Sequence, residues 1–151
     1  MNIINNLDKA IDILIDQKPL VIFQGNSEWG PRALGNRSIL FDPRNNNAKN
    51  IVNKFKKREW WRPLAGTILL EHANDYFYFA SLKESPFMSF AVDAKQKALD
   101  EVPSIVHVDG TCRVQTLTQK QNFNFYNLIK EFFNKTKVPI LLNTSFNIAG
   151  F

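Results

Sequence analysis

At 151 residues, with 44% hydrophobic and 22% charged residues, the chain is long enough for one globular domain with a core of ordinary size. Its single cysteine excludes both a disulfide and a thiolate metal cluster within one chain. The excess of 19 basic over 14 acidic residues gives a net charge of +5, which indicates an anionic partner and leaves nucleic acid, nucleotide and acyl phosphate open.

The sequence carries no signal for a membrane or for export. No stretch approaches the roughly 20 continuous apolar residues of a membrane span. The amino terminus, MNIINNLDKAIDIL, lacks the basic start and apolar core of a signal peptide. We therefore expect a cytoplasmic protein without a membrane partner.

The first third of the chain alternates between helical and extended patterns. Apolar spacing predicts an amphipathic helix over residues 3–17, and strands are expected over 19–23 and 38–41. A second helix is predicted from residue 46 to residue 62, where Pro63 forces the chain away from helical geometry.

Residues 25–38, GNSEWGPRALGNRS, connect the first two predicted strands with three glycines and two arginines. The stretch is either a long surface loop or a backbone cradle for an anion, to which Arg32 and Arg37 add charge. A Walker-type phosphate loop is excluded, because Pro31 and Arg32 stand where that motif needs lysine and a hydroxyl residue. Binding of phosphate oxygens by guanidinium groups stays open.

A second cationic stretch, KFKKREWWRPLAG, covers residues 54–66. Lys54, Arg58 and Arg62 are four residues apart, which is typical of a solvated helix face. The run ends in two tryptophans and an Arg-Pro step, which favours charges held at a rigid corner. Such a corner suits phosphates, and the same residues suit stacking on bases, so nucleic-acid binding stays an alternative.

The middle of the chain has weaker signals. Strands are predicted over residues 67–70 and 87–92, joined through the aromatic stretch HANDYFYFASLKESP. The polar residues 94–101 predict a surface turn or a short helix.

Residues 104–108 and 111–116 flank an Asp-Gly step, the strongest hairpin signal in the chain. A two-residue turn would place His107 opposite Cys112 and raises the hypothesis of a thiol nucleophile beside an imidazole base. The commoner role of such a cysteine is that of a small buried hydrophobe. Arg113 lies in a strand of valine and threonine and needs a partner or an opening to solvent, since a lone buried cation is very costly.

The last third predicts an amphipathic helix over residues 122–135 and a strand over 138–142. That strand is uninterruptedly apolar, which indicates burial on both faces. It breaks into a polar run at the carboxyl end, where α/β sheets tend to bind ligands. Helix capping is the alternative role for this run, but no helical sequence follows it, which favours a polar pocket wall. The residues of this predicted wall are Asn143, Thr144, Ser145 and Asn147.

Strands that alternate with helices, together with one hairpin, predict an α/β fold in which a twisted mixed sheet is flanked by helices. We expect one domain over residues 1–151. Neither His72 nor His107 sits in a ligand spacing, which argues against an intrinsic transition-metal site. The acidic residues form no obvious catalytic pair.

Five stretches, in this order, resemble the carboxyl-terminal domain of the NodU/CmcH-type carbamoyltransferases. They lie between about residue 20 and residue 147 and read GPRALGNRSIL-DPR, KxREWxRPxA, SPFM, HVDGTxRVQ and PxLLNTSFN. The resemblance implies a YrdC-like fold and the formation of carbamoyl adenylate from carbamoyl phosphate and ATP, with Mg²⁺ accompanying the nucleotide. It also implies a separate kinase-like domain, which transfers the carbamoyl group to an acceptor hydroxyl. Clustered cations without a protein nucleophile suit such chemistry.

The resemblance also implies site residues. Lys57, Arg58 and Arg62 resemble the Lys-Arg-Pro region of YrdC-like domains, and Ser145 with Asn147 resembles their Ser-x-Asn element. Both groups are implied to bind phosphate and carbamoyl groups. The remaining predicted contacts to carbamoyl phosphate or ATP are Arg32, Arg37, Arg113, Asn143 and Thr144.

The chain departs from the family pattern in several places. It reads IAGF where the family continues with a Gly-Glu-Pro segment and a helix, so we expect the domain to lack its last segment. Cys112 stands where alanine is usual, and RPLAG replaces RPFAP. No residue resembles the metal ligands of the kinase-like domain, which we expect to be absent. Two alternatives therefore stay open, a basic nucleic-acid-binding module and an inactive fragment that docks on the missing domain.

Overall fold

The computed structural model describes residues 6–147. Within these residues seven strands form one sheet, and their bounds are β1 Leu20–Phe23, β2 Arg37–Phe41, β3 Ala65–Leu69, β4 Phe77–Tyr78, β5 Ala91–Ala94, β6 Thr111–Leu117 and β7 Ile140–Ser145. The helices are α1 Leu7–Ile15, α2 Ala48–Phe55, α3 Ala73–Tyr76, α4 Gln96–Glu101 and α5 Phe123–Thr136, with 3₁₀ turns at Leu70–His72 and Pro103–Ile105.

The strand order across the sheet is β1-β2-β7-β3-β6-β5-β4. Among these strands β3 and β6 pair in parallel, and the other neighbours pair antiparallel. The predicted α/β fold with a mixed sheet and flanking helices is thus confirmed. Because β7 lies between β2 and β3, the polar residues at its end are surrounded by other elements.

The core forms where α1 and α5 pack their apolar faces. Ile11 and Leu14 of α1 are fully buried, as are Phe125, Ile129 and Phe132 of α5. Asparagine side chains cap both helices at their first turns, a residue type favoured there because its oxygen accepts from a free backbone amide. The predicted first helix began at residue 3, and residues 3–5 lie outside the described part of the chain. Over the described residues, no helix is both long and apolar enough to cross a membrane.

The apolar strand predicted before the polar run is confirmed and is longer than expected. Residues 140–142 are fully buried. The strand β7 continues through the polar residues to Ser145, because their backbone groups still pair with β2. The hydrogen-bonding side chains of this run are therefore held on a strand, at fixed directions.

The prediction that the second helix runs to residue 62 is wrong, since α2 ends at Phe55. The side chain of Asn53 donates to the carbonyl oxygens of Trp60 (3.2 Å) and Arg62 (3.0 Å) and so holds a turn after the helix. Lys57 takes a left-handed conformation, with φ of 53°, and reverses the chain. The lysines and arginines of this stretch therefore do not form a helical stripe.

The predicted hairpin between residues 104–108 and 111–116 is also wrong. Pro103–Ile105 form a 3₁₀ turn and not a strand, and β6 pairs instead with β5 over residues 111–113 and with β3 over residues 114–117. Across β5 and β6, Cys112 pairs with Val92 and not with His107. The predicted strand over 87–92 likewise begins only at Ala91, where the pairing with β6 begins.

Candidate anion-binding site

Three arginines from distant parts of the chain line one small cavity of about 110 Å³. Arg32 comes from the β1–β2 loop (residues 24–36), Arg58 from the turn after α2, and Arg113 from β6. Thr144 and Ser145 add polar groups from β7. No carboxylate stands among the described residues that line the cavity. The lining therefore offers concentrated positive charge and hydrogen-bonding groups.

An open groove of about 640 Å³ adjoins this cavity, with Arg58 and Ser145 lining both. The remaining residues that line the groove are Lys56, Lys57, Glu59, Arg62 and Asn147. Glu59 is held by Arg62, whose Nε lies 2.8 Å from its carboxylate. The groove thus carries an excess of positive charge as well.

Two arginines of the cavity, Arg58 and Arg113, lie where burial and neighbouring positive charges disfavour their charged form. The pKa of Arg58 is lowered, first by burial and then by the charges of Arg62 and Arg113. The pKa of Arg113 is lowered, first by burial and then by the charge of Arg32. The Nε atoms of Arg58 and Arg113 are buried and have no hydrogen-bond partner among residues 6–147. A bound anion would neutralise the repulsion between these charges.

Lys56 lines the groove beside Lys57, the lysine that was predicted as a site residue. The Lys56 ammonium is buried and donates to the carbonyl oxygen and the hydroxyl of Ser145, the latter at 3.2 Å, and to Oδ1 of Asn147 at 3.0 Å. Burial, and then the charge of Arg58, lowers its pKa to about 8. Lys57 is exposed at the rim of the groove. The motif KxREWxRPxA begins at Lys56, so its spacing already contained this signal.

Asn143 lines the cavity and also anchors the β1–β2 loop to the sheet. Its Nδ2 donates to the carbonyl oxygen of Ala33 (3.1 Å) and to Oγ1 of Thr67 (2.9 Å). Thr67 in turn donates to Gln115 (2.8 Å), whose Nε2 donates to the carbonyl oxygen of Leu34 (3.2 Å). Sequence reasoning missed Thr67 and Gln115, because nothing in their spacing ties them to the loop.

Arg37 is the predicted site residue that the structure leaves out of the cavity and groove. Its Nη1 donates to the carbonyl oxygens of Gln24 (2.5 Å) and Asn36 (3.0 Å), and its guanidinium lies 3.8 Å from the centre of the Phe23 ring. The side chain thus closes the base of the β1–β2 loop. The other predicted residues line the cavity or the groove, and their roles toward a ligand stay predictions.

The hypothesis of a cysteine–histidine dyad is wrong. Cys112 is fully buried, and burial raises the pKa of its thiol to about 12, so the thiolate is not available near neutral pH. The ring nitrogens of His107 instead contact Oγ1 of Thr111 (3.2 Å) and the carbonyl oxygen of Leu64 (3.3 Å). Over residues 6–147, His, Cys, Asp and Glu side chains form no group of three that could hold a metal ion.

Residues 11–151 match the family model described as Carbamoyltransferase C-terminus. The nodulation protein NolNO of Sinorhizobium fredii is 45% identical over 141 residues, which are 92% of this chain and 21% of that protein. NolO of Bradyrhizobium diazoefficiens is 47% identical over 126 residues, or 82% of this chain and 23% of that protein. The nodulation protein U of Sinorhizobium fredii is 37% identical over 145 residues, or 96% and 26%.

The chain thus spans about a quarter of the length of these relatives. Among solved structures, full-length HypF in its phosphate- and nucleotide-bound form superposes with a TM-score of 0.62. The match covers 99% of this chain and 18% of HypF, at 13% identity. At that identity the likeness concerns the fold alone.

Proposed function

This chain belongs to the Carbamoyltransferase C-terminus family, and we propose that its cavity and groove bind carbamoyl phosphate and ATP and form carbamoyl adenylate. The observation that carries the proposal is the convergence of Arg32, Arg58 and Arg113 on one cavity whose described lining holds no carboxylate. Both substrates are strongly anionic, so such a lining is complementary to them.

The proposed reaction needs charge stabilisation more than it needs a protein nucleophile. Carbamoyl phosphate, ATP and one water give carbamoyl adenylate, pyrophosphate and inorganic phosphate. Negative charge moves among phosphate oxygens at each step, and fixed guanidinium and ammonium groups stabilise it without further reorganisation. This requirement agrees with a site in which arginines are close together and Cys112 is inert.

The two spaces differ in size, and this difference suggests how the substrates are divided. The small cavity suits carbamoyl phosphate, held by Arg58, Arg113 and the hydroxyls of Thr144 and Ser145. The open groove suits the larger nucleotide, with Lys56 and Arg62 beside its phosphates. Glu59 is already paired in the groove, so Mg²⁺ would be held by the nucleotide's own phosphates.

The chain would supply its product to another part of the enzyme. It spans about a quarter of the length of its nodulation-protein relatives, so most of their length lies outside the region that matches this chain. We propose that a separate kinase-like domain takes the carbamoyl group from the adenylate and passes it to an acceptor hydroxyl.

Calorimetry and isotope exchange test the proposal directly. The 151-residue chain should bind carbamoyl phosphate and ATP at both low and high salt, on the order of 50 and 300 mM. It should also catalyse exchange of pyrophosphate into ATP only when carbamoyl phosphate is present. Arg58→Met should abolish the exchange. Lys18→Met, which removes an exposed charge outside the cavity and groove, should not.

Nucleic-acid binding is the alternative that this experiment distinguishes. Trp60 and Trp61 are 72% and 58% exposed and belong to the same turn as the cations of the groove. Aromatic side chains beside positive charge suit single-stranded nucleic acid. Binding of an oligonucleotide that falls steeply with salt, without any exchange activity, would favour the alternative and refute the adenylate proposal.

A further inference from the structure

The β1–β2 loop encloses an acidic side chain of its own. Oε1 of Glu28 accepts from the backbone amides of Leu34 (2.8 Å) and Asn36 (2.9 Å), and Oε2 accepts from the amide of Arg37 (3.2 Å). Three nearby amides that point at one centre form the kind of concave cradle that binds anions. A backbone cradle for an anion was one of the two predictions for this loop, and in the structure the Glu28 carboxylate fills the cradle.

These bonds close a ring of backbone that carries one of the cavity arginines. Between Glu28 and Leu34 lie Pro31, Arg32 and Ala33, which line the cavity. Arg32 itself donates to the carbonyl oxygen of the adjacent Pro31 (3.1 Å), a contact that cannot tie the side chain to the sheet. The position of Arg32 therefore depends on how firmly the surrounding backbone is held.

The ring is held from two sides. On the sheet side, Asn143 and Gln115 donate to the carbonyl oxygens of Ala33 and Leu34. On the other side, Glu28 accepts from the amides that follow. Without the carboxylate those amides would lose their acceptor, and the segment before Ala33 would be free to sample other conformations.

We propose that Glu28 is a positioning residue, which holds the β1–β2 loop so that Arg32 faces the cavity before an anion binds. Preorganisation of this kind raises affinity, because the entropy of ordering the loop is no longer lost on binding. The identity of the anion rests on the proposed function, but the role of Glu28 requires only that the cavity binds phosphate.

Simple electrostatics predicts the opposite sign for the loss of Glu28, and this makes the inference testable. Removing a carboxylate from the neighbourhood of a cationic cavity should strengthen anion binding if charge alone matters. If Glu28 positions Arg32, its removal should weaken binding instead. The readout is the dissociation constant of inorganic phosphate, measured by calorimetry on the 151-residue chain.

We expect Glu28→Ala to weaken phosphate binding about tenfold, which is close to 1.4 kcal/mol. Arg32→Met should have a similar effect, and the double variant should be little worse than either single one, because both changes remove the same contact. Glu28→Gln keeps the oxygen that accepts from Leu34 and Asn36 and should be intermediate. Glu84→Ala, an exposed acidic residue away from the cavity lining, is the matched control.

Added formate provides a rescue that a general loss of stability would not show. Formate should restore phosphate binding in Glu28→Ala by filling the vacated cradle, whereas in the unaltered chain it can only compete with phosphate. Amide exchange at Leu34, Asn36 and Arg37 should be slow in the unaltered chain and fast in Glu28→Ala, without any ligand. Unchanged or tighter phosphate binding in Glu28→Ala would overturn the inference, whereas failure of the unaltered chain to bind phosphate would count against the proposed function.

Discussion

The ammonium group of Lys56 donates to both the carbonyl and the hydroxyl oxygen of Ser145, which lies 89 positions later in the chain. The contact joins the turn after α2 to the end of β7 and brings the two cationic and polar stretches of the sequence into one site. It also fixes the direction of the Ser145 hydroxyl, which lines both the cavity and the groove. The site therefore depends on Lys56 for its geometry as well as for its charge.

Replacing Lys56 should accordingly affect ligand binding much more than replacing its neighbour. We expect Lys56→Met to weaken ATP binding by at least about tenfold, since it removes a buried charge and leaves Ser145 and Asn147 with fewer donors. Lys57→Met removes the same charge from an exposed position and should change the affinity by less than about threefold. Calorimetry with ATP measures both. Equal losses in the two variants would contradict the assignment of Lys56.

The depressed pKa of Lys56 predicts a dependence of anion binding on pH. Its pKa is about 8 in the folded chain, so its charge is present below that pH and is lost as the pH rises through it. Affinity for sulfate, whose own charge is constant in this range, should therefore fall between pH 7 and pH 9 by about tenfold. Arginines do not titrate there, and the pKa of His107 is lowered from its ordinary value, so it stays neutral.

The same group affects stability with the opposite sign. Between about pH 8 and the ordinary lysine pKa of 10.5, the unfolded chain binds more protons at this position than the folded chain does. The contribution of Lys56 to the free energy of unfolding therefore increases as the pH rises through that range. In Lys56→Met, both this increase and the fall in sulfate affinity should disappear. A sulfate affinity that falls equally in the variant would assign the titration to another group.

The sequence contained enough to predict the architecture but not the exact placement of several side chains. The buried apolar run before Asn143 and the amphipathic pattern of α5 follow from hydrophobic periodicity, which the fold preserves. The end of α2 does not, because it depends on hydrogen bonds from Asn53 to carbonyl oxygens of the following turn. Such side-chain contacts compete with helix continuation and leave no periodic signal.

The candidate site was predictable by residue type more than by role. An arginine in an apolar strand had to have an outlet, and Arg113 indeed opens to the cavity. Lys56 was not predicted as a site residue, because its burial depends on the left-handed turn at Lys57, which a lysine gives no reason to expect. The hairpin failed because local turn chemistry cannot show that β6 pairs instead with β3 and β5, which come from earlier in the chain.

Arg113 should lower the stability of the unliganded chain while it strengthens the binding of phosphate. Its charge is held close to that of Arg32, and its Nε has no hydrogen-bond partner among the described residues, so the unliganded chain is destabilised by it. Arg113→Met should raise the free energy of unfolding by up to about 1 kcal/mol while it weakens phosphate binding. In thermal unfolding, sulfate should raise the Tm of the unaltered chain and have little effect on the variant. A variant that is less stable and still responds to sulfate would refute this account.

Gly35 should be the glycine at which added bulk is most damaging to the β1–β2 loop. An alanine Cβ there would lie 2.1 Å from Cδ1 of Phe125, a fully buried side chain of α5, and the backbone has a φ of 110°. We expect Gly35→Ala to lower the free energy of unfolding by about 3 kcal/mol, because neither the core nor the loop can yield without losing packing.

Gly110→Ala is the matched control, since its φ is 80° but nothing lies within 4 Å of the added atom. It should cost only about 1 kcal/mol. Urea denaturation of both variants measures the difference, and equal losses would show that backbone conformation, and not the contact with Phe125, decides the effect.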